Sequence, residues 1–376
     1  MTTHDQVLSL IRQHQEISQA EIRTLTGLSA SAVSSAVKRA QQLGVVHESG
    51  ITQEALGRPR KLLKLNPDYG YTIGVQVNSN YNQIVLCDLH GNIIQRDTLS
   101  HPTLDPHVIA ADIQQFAIRV THRPILGIGL AVSGIIDHER GICLDSTTAG
   151  WHDVPIGPIV QQATGIPTHV ENDANSLGIA EMLFGEARHA SSFVIMTIGK
   201  GIGAGIVIQR NLYRGRNGVA GEIGHIRITS PSKVQCHCGK TGCLEATSGA
   251  LAIAREFQER LGTPVSINEL PTLIAEHKDL AAEILGGVGE RLGIALAQLA
   301  TTFDPDAVFV APEPHLGLSS LEPIVQDSFK AELLPVTRTP TTLRFLTEST
   351  DMWARGAASV AIDQFFTSLS QEFITA

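Results

Sequence analysis

The order of elements is what most limits the fold. Three apolar-rich runs suited to strands, 71–77, 83–89 and 93–99, follow one another with short polar turns such as His90-Gly91-Asn92 between them. Beyond them, helix-like and strand-like stretches alternate. The pattern predicts a helix over 106–120, a buried strand over 125–132, a strand over 167–171, a helix over 174–184, and strands over 192–198 and 204–209. Helices near 244–260 and 279–302, a strand over 306–311, a helix over 319–332, a strand over 342–347 and a helix over 352–366 complete the series. A three-strand meander followed by such alternation predicts an α/β body built as two ribonuclease H-like lobes.

Ahead of the body, the chain reads as a small helical head. A first helix over about 4–14 has Val7, Leu8, Leu10 and Ile11 on its inner side. Ser18-Gln19-Ala20-Glu21 is a capping box, in which Ser18 and Glu21 satisfy free backbone N–H groups reciprocally. Gly27 permits a sharp turn, and Ser29 caps a third helix running to about Leu43. Ile22, Leu25, Leu28, Val33 and Val37 are the expected shared core. Val45-Val46-His47 opposite Leu62-Leu63-Lys64-Leu65 forms a wing. The prediction is a winged helix-turn-helix over 1–66, closed by the turn Asn66-Pro67-Asp68. The body then covers 67–376, with lobe one over 67–170 plus the C-terminal helix and lobe two over 171–350.

Charge supports this division. The net charge of −9 is split: residues 1–65 hold eight Lys/Arg against five Asp/Glu, while the remainder is strongly acidic. A basic head on an acidic body points to a polyanionic partner for the head. In the third helix Ser31, Ser34, Ser35, Lys38 and Arg39 are expected to face outward toward DNA. In the wing, Arg58, Arg60 and Lys61 within Gly57-Arg58-Pro59-Arg60-Lys61 form a basic strip able to enter an A·T-rich minor groove. The plain alternative for that strip is a solvated linker. With 43% hydrophobic and 17% charged residues the chain has ample material for a core. It has no apolar run of the ~18 residues a membrane span needs and no secretory signal. A cytoplasmic protein without membrane association is expected.

Three of the five cysteines, Cys236, Cys238 and Cys243, fall within eight residues. An odd total argues against a disulfide framework, and this spacing suits three corners of a tetrahedral zinc site, because Gly239 and Gly242 let the loop fold tightly. His237 or His225 would supply the fourth ligand. Such a sphere is closed, so the Zn2+ would be structural. The other candidate residues surround sheet edges and glycine turns. Glu171-Asn172-Asp173-Ala174-Asn175 lies where a strand passes into a helix, the edge at which open α/β sheets bind ligands. Asn172 and Asp173 can bond sugar hydroxyls, with Asp173 as a general base, although either residue is also an ordinary helix cap. Glu222 and Glu245 are further candidates for sugar hydroxyls, with His225 between the zinc and the ligand, although a surface turn would serve as well. The glycine-rich turn 199–205 reads as a tight hairpin.

Together these motifs resemble the ROK family, and within it the repressor branch of the xylose and N-acetylglucosamine repressors. The likeness extends over nearly the whole chain. It implies an actin-like ATPase/sugar kinase fold for the body. It also implies zinc on His225, Cys236, Cys238 and Cys243, and a sugar site lined by Asn172, Asp173, Glu222, His225 and Glu245, with Asp173 at the position of the kinases' catalytic base. The kinases' Asp-x-Gly-Gly-Thr stretch is replaced here by Gln76-Val77-Asn78-Ser79-Asn80, their Gly-Gly-Gly turn by Ala311-Pro312-Glu313, and a usual threonine by Lys200. From these losses the chain is expected not to be an enzyme. The expectation is a sugar-responsive transcription factor, most readily a repressor, that binds operator DNA as a homodimer or tetramer and is released by a sugar or sugar phosphate. A ROK sugar kinase with a DNA-binding head is the alternative. A third reading is a regulator sequestered by a transport-system protein.

Overall fold

The computed structural model describes residues 2–52, 60–77, 82–99, 104–120, 123–228, 233–335 and 340–375. By its contacts the chain falls into two compact units, Met1–His189 with Trp353–Ala376, and Ala190–Met352.

The first unit begins with the three expected helices, α1 (Thr3–His14), α2 (Gln19–Thr26) and α3 (Ala30–Gln42). Their starts are set by side-chain caps. Thr2 and Asp5 form a capping box on α1, Ser18 and Glu21 form the one anticipated on α2, and Ser29 accepts from the Ala32 N–H of α3. Gly27 ends α2 in the left-handed conformation that glycine adopts without strain. Val7, Leu8, Ile11, Ile22, Val33 and Val37 are buried together, whereas Leu25 is 56% exposed and leaves the predicted core. The reason is length: α2 is only eight residues long and Ile22 is its buried residue, so Leu25, one turn on, falls beyond the packed patch. The wing pairs Val46–Thr52 with Arg60–Leu65, and Ile17–Ser18 adds a short third strand on Leu62 and Leu63.

The body part of this unit is a five-stranded sheet in the order Thr168–Asn172, Ile125–Val132, Tyr71–Val77, Asn82–Cys87, Ile93–Leu99. The last three strands are the antiparallel meander, and the first two join it in parallel. One face packs Ile73, Val75, Ile128 and Leu130 against Ile109, Ile113, Phe116 and Val160 of the helices Pro106–Val120 and Ile156–Thr164. The other face accepts the C-terminal helix Met352–Thr375 at very short range. A Cβ on Gly74 would lie 2.0 Å from the Ala354 carbonyl oxygen, and one on Gly129 would lie 1.8 Å from that of Ala357. Helix and sheet backbones therefore meet directly. A small antiparallel sheet of Ile135–Asp137, Ile142–Ser146 and Trp151–Val154 is an addition that the sequence pattern did not reveal.

The second unit repeats the mixed plan: Asn211–Leu212, Ile202–Ile208 and Phe193–Ile198 run antiparallel, and Ala307–Pro312 and Thr342–Phe345 continue in parallel. Its core joins this sheet to the helices Ala250–Leu261, Lys278–Phe303 and Glu322–Glu332. The stretch expected as one helix near 244–260 is broken at Gly249 into Leu244–Ser248 and Ala250–Leu261. The two sheets and their covering helices realise the predicted α/β class.

Candidate functional site

The 236–245 loop is shaped by backbone bonds rather than by its side chains. Cys236 N–H donates to the Lys240 carbonyl (2.8 Å) and Gly239 N–H to the Cys236 carbonyl (2.9 Å). Gly239 and Gly242 take positive φ, at 86° and 72°. Released from that duty, the side chains converge. One ligand atom each from His225, Cys236, Cys238 and Cys243 lies within 4.8 Å of every other. Cys238 Sγ and Cys243 Sγ are 3.7 Å apart, and Cys236 Sγ is 3.4 Å from His225 Nδ1. A tetrahedron with metal–sulfur bonds of ~2.3 Å has edges of about 3.8 Å, slightly shorter toward a nitrogen. The cluster therefore fits a four-coordinate metal, as expected. His225, Cys236, His237 and Glu245 meet the same distance test. In that set, however, His237 Nε2 is already bonded to Glu245 Oε1 at 2.9 Å.

Burial pushes the Cys236 thiol up to about 12 and raises that of Cys243. Burial also opposes ionisation of Cys238, but hydrogen bonds to the Lys240 backbone and to its two cysteine neighbours outweigh it and lower that thiol. Burial lowers His225 too, against the pull of Glu245, so its imidazole is held neutral, the form in which it can ligate.

Glu222 and Glu245 are tied to this cluster. The Glu222 carboxylate is 3.9 Å from His225 Nε2, and its approach depends on Gly221, where a Cβ would lie 1.9 Å from the Ala204 carbonyl oxygen. Glu245 accepts from the Ile202 N–H (3.0 Å) as well as bonding His237, so it joins the cysteine loop to the glycine hairpin. On the other side of that hairpin, Glu313 Oε2 accepts the Lys200 N–H at 2.8 Å. The turn 199–205 is thus a hairpin, as read, and its backbone is held by two carboxylates. Arg291 braces the short helix behind Glu245, donating to Thr247 O and Ser248 Oγ. No sequence signal gave Glu313 or Arg291 these bonds, because both act across more than forty residues.

In the first unit, Thr168–Asn172 passes directly into the helix Asp173–Phe184. Asn172 caps this helix through the Asn175 N–H (3.2 Å) and donates its amide to the Gly134 carbonyl (3.0 Å). Glu171, buried, holds the Asn175 amide. Asp173 stands half-buried at the head of the helix. Beside Gly134, Val77, Val132, Ser133, Ser146 and Thr148 line a shallow crevice with no enclosed space for a water-sized molecule. Ser133 and Thr148 were not foreseen.

On the head, Ser31, Ser34, Ser35, Lys38 and Arg39 are all exposed along α3, as expected, and so are Arg60 and Lys61. Lys61 Nζ pairs with Glu48 at 2.8 Å. Arg58, with Gly57 and Pro59, lies outside the described residues, as do Asn78, Ser79 and Asn80.

Residues 72–363 match the ROK family, and residues 3–50 match the MarR family. The xylose repressor of Bacillus spizizenii is 30% identical over 333 residues, covering 87% of this chain and 85% of the relative. A glucokinase of Halalkalibacterium halodurans is 33% identical over 227 residues, covering 56% of this chain and 68% of the relative. A crystal structure of a ROK family transcriptional regulator, homologous to the Escherichia coli MLC protein, superposes with a TM-score of 0.80 at 24% identity and covers 98% of each chain. The expectation that the chain is not an enzyme is overturned by these matches. Glucokinases recur among them, so this fold often retains kinase activity. That expectation rested on replacements at 76–80, 200 and 311–313, of which 78–80 lie outside the described residues.

Proposed function

The chain belongs to the ROK family, in its xylose-repressor-like regulatory branch, and from that premise we propose that it is a sugar-responsive DNA-binding regulator of carbohydrate-use genes, acting as a repressor. The observation that carries this is the joining of a capped helix-turn-helix head, with a polar exposed face on α3, to a ROK body. In this reading residues 1–66 bind operator DNA through Ser31, Ser34, Ser35, Lys38, Arg39, Arg58, Arg60 and Lys61. The serines touch bases and phosphates, and the arginines of the strip read groove width. Residues 67–376 bind the effector, a sugar or sugar phosphate, through Asn172, Asp173, Glu222, His225 and Glu245. The effector changes DNA affinity only to the extent that it binds one conformation better. Two heads in a homodimer or tetramer set the half-site spacing.

The cysteine cluster would hold a structural Zn2+ on His225, Cys236, Cys238 and Cys243. Three thiolates and one imidazole complete four-coordination and leave no open position for catalysis. Reduced thiols suit a cytoplasmic setting, and among the described residues no helix is long and apolar enough to cross a membrane. A transport-system protein is a further candidate partner.

A second reading, phosphorylation of a sugar by the body, is favoured by the glucokinase relatives and by Asp173 at the head of its helix. One experiment addresses both. The purified chain is screened by thermal shift against sugars and sugar phosphates, since a ligand of the folded state raises the midpoint. Each hit is then tested for release of selected DNA and, with ATP, for ADP formation. DNA release without ADP supports the regulator, and ADP formation without DNA release supports the kinase.

A further inference from the structure

We infer that Arg12 and Gln13 of α1 are positioning residues that dock the head onto the body, and that the helix Asp173–Phe184 and the C-terminal helix connect this dock to the effector end of the first unit. The inference rests on the reading of the chain as a sugar-responsive DNA binder.

The dock is built from unlike contacts on consecutive residues. Arg12 Nη1 pairs with Asp363 Oδ1 at 3.2 Å, and its guanidinium carbon lies 5.2 Å from the centre of the Phe366 ring. The two charged side chains are only 14% and 29% exposed, so solvent screens this pair less than an ordinary surface pair. Gln13 Nε2 donates to the Arg188 carbonyl at 2.9 Å, and the His14 and His189 rings lie 6.0 Å apart. Asp363 and Phe366 belong to the C-terminal helix, and Arg188 and His189 to the turn Glu186–His189. Both partners of α1 are therefore body elements.

Both elements lead back to the junction that bears Asn172 and Asp173. The turn Glu186–His189 follows the helix Asp173–Phe184 after Gly185 alone. Twelve residues of helix at ~1.5 Å each make a strut of about 18 Å with Asp173 at one end and the dock at the other. The C-terminal helix crosses the start of the same strut: a Cβ on Gly356 would lie 3.1 Å from the Ser176 carbonyl carbon. At the far end of the strut, the Arg355 guanidinium carbon lies 6.0 Å from the Phe184 ring, while Arg355 Nε donates to the Gly91 carbonyl at 2.9 Å. A shift of Asp173 on binding a ligand is thus carried by close-packed backbone, which slides or rotates as a body rather than absorbing the movement locally. The head is also tethered at its exit, where His90 Nε2 meets the Leu65 carbonyl at 3.1 Å. That contact limits the head's travel without linking it to Asp173.

The test is a charge swap in the full chain: Arg12→Glu, Asp363→Arg and the double variant. Two readouts are used. The first needs neither DNA nor sugar: the rate of protease cutting at the Asn66–Asp68 turn, which a released head exposes. It should rise at least fivefold in each single variant and return to within twofold of wild type in the swap. The second is the ratio of DNA affinity without and with the sugar found by thermal shift. It should fall at least fivefold in the single variants and recover in the swap, while all three variants keep the body's unfolding midpoint. Unchanged cutting in the single variants overturns the dock. Faster cutting with a wild-type affinity ratio overturns the coupling. If the wild-type chain shows no sugar-dependent ratio, the regulatory reading itself fails and the coupling falls with it.

Discussion

The 236–245 loop and the 171–175 junction hold their polar side chains in opposite ways. In the loop, backbone bonds and two positive-φ glycines shape the chain, and three thiols with one imidazole are left to meet one another. In the junction, side chains shape the chain: both ends of the Asn172 amide and the buried Glu171 carboxylate are engaged in closing the strand onto the helix. A ligand change in a cage of the first kind spares the loop's own backbone bonds and acts through the metal the cage would hold. At a junction of the second kind, substitution damages the fold before it informs on binding, and Asp173 is part of it, its Oδ1 accepting the Ala174 N–H at 2.7 Å. Loss of function therefore has different meanings in the two places.

The sharpest way to break this contrast is to remove the metal. The chain as purified should carry one zinc, and Cys236→Ser or Cys243→Ser should bring that to near zero by elemental analysis. The same variants should lose much of the second unit's stability, since structural zinc contributes up to ~10–16 kcal/mol in small zinc peptides. A chelator that leaves the unfolding midpoint unmoved would reduce the cage to three buried or exposed thiols.

A smaller effect separates neighbours at the junction. Asn172→Ala should cost about 0.5–2 kcal/mol for the lost cap, with a further ~1–3 kcal/mol if the Gly134 carbonyl is left without a partner. Asp173→Ala should cost less stability than Asn172→Ala yet also lose ~1–3 kcal/mol of sugar affinity by calorimetry. Equal destabilisation by the two, with sugar binding kept, would make Asp173 a structural residue like Asn172.

The least effect is on pH dependence, and it belongs to the first unit. Burial lowers His169, on the strand feeding the junction, and burial together with His189 lowers His14. Both are therefore held neutral when folded. The stability this contributes is complete above pH 6.5, the ordinary histidine value, and is lost as pH falls through 6.5 toward the lower folded values. Each histidine adds at most about 1.4 kcal/mol per pH unit. His169→Gln should flatten the urea midpoint between pH 7.5 and 5.5, and an unchanged slope would remove His169 from the account.

What the sequence made legible follows the same division between local and distant causes. The Ser18–Glu21 box, the Gly27 turn, the meander and the cysteine spacing each act within a few residues, and all are found in the structure. The strands 135–154 were missed because they are three to five residues long and mix polar with apolar positions. The Gly249 break was missed because a lone glycine in an apolar helical pattern is often tolerated. Leu25 was misplaced because periodicity gives the face of a helix but not how far its neighbour extends along it. Glu313 at the glycine hairpin and Asp363 under Arg12 were invisible for a further reason: each meets its partner across more than one hundred residues. The expectation that the chain is not an enzyme was drawn from replaced residues at 76–80 and 311–313, and the glucokinase matches overturn it.

The central claim, that a sugar bound by the body controls DNA binding by the head, is tested most directly by selection from a random duplex library. The full chain is used to recover sequences with and without each sugar that raises its melting temperature, and affinities are then measured across salt concentrations. The account predicts enrichment of a two-half-site sequence, and at least a tenfold loss of affinity with one sugar or sugar phosphate. It also predicts a salt slope that flattens by about 0.9 for each phosphate that Arg60→Ala no longer neutralises. Enrichment of no sequence, or an affinity indifferent to every sugar that the protein binds, would contradict it.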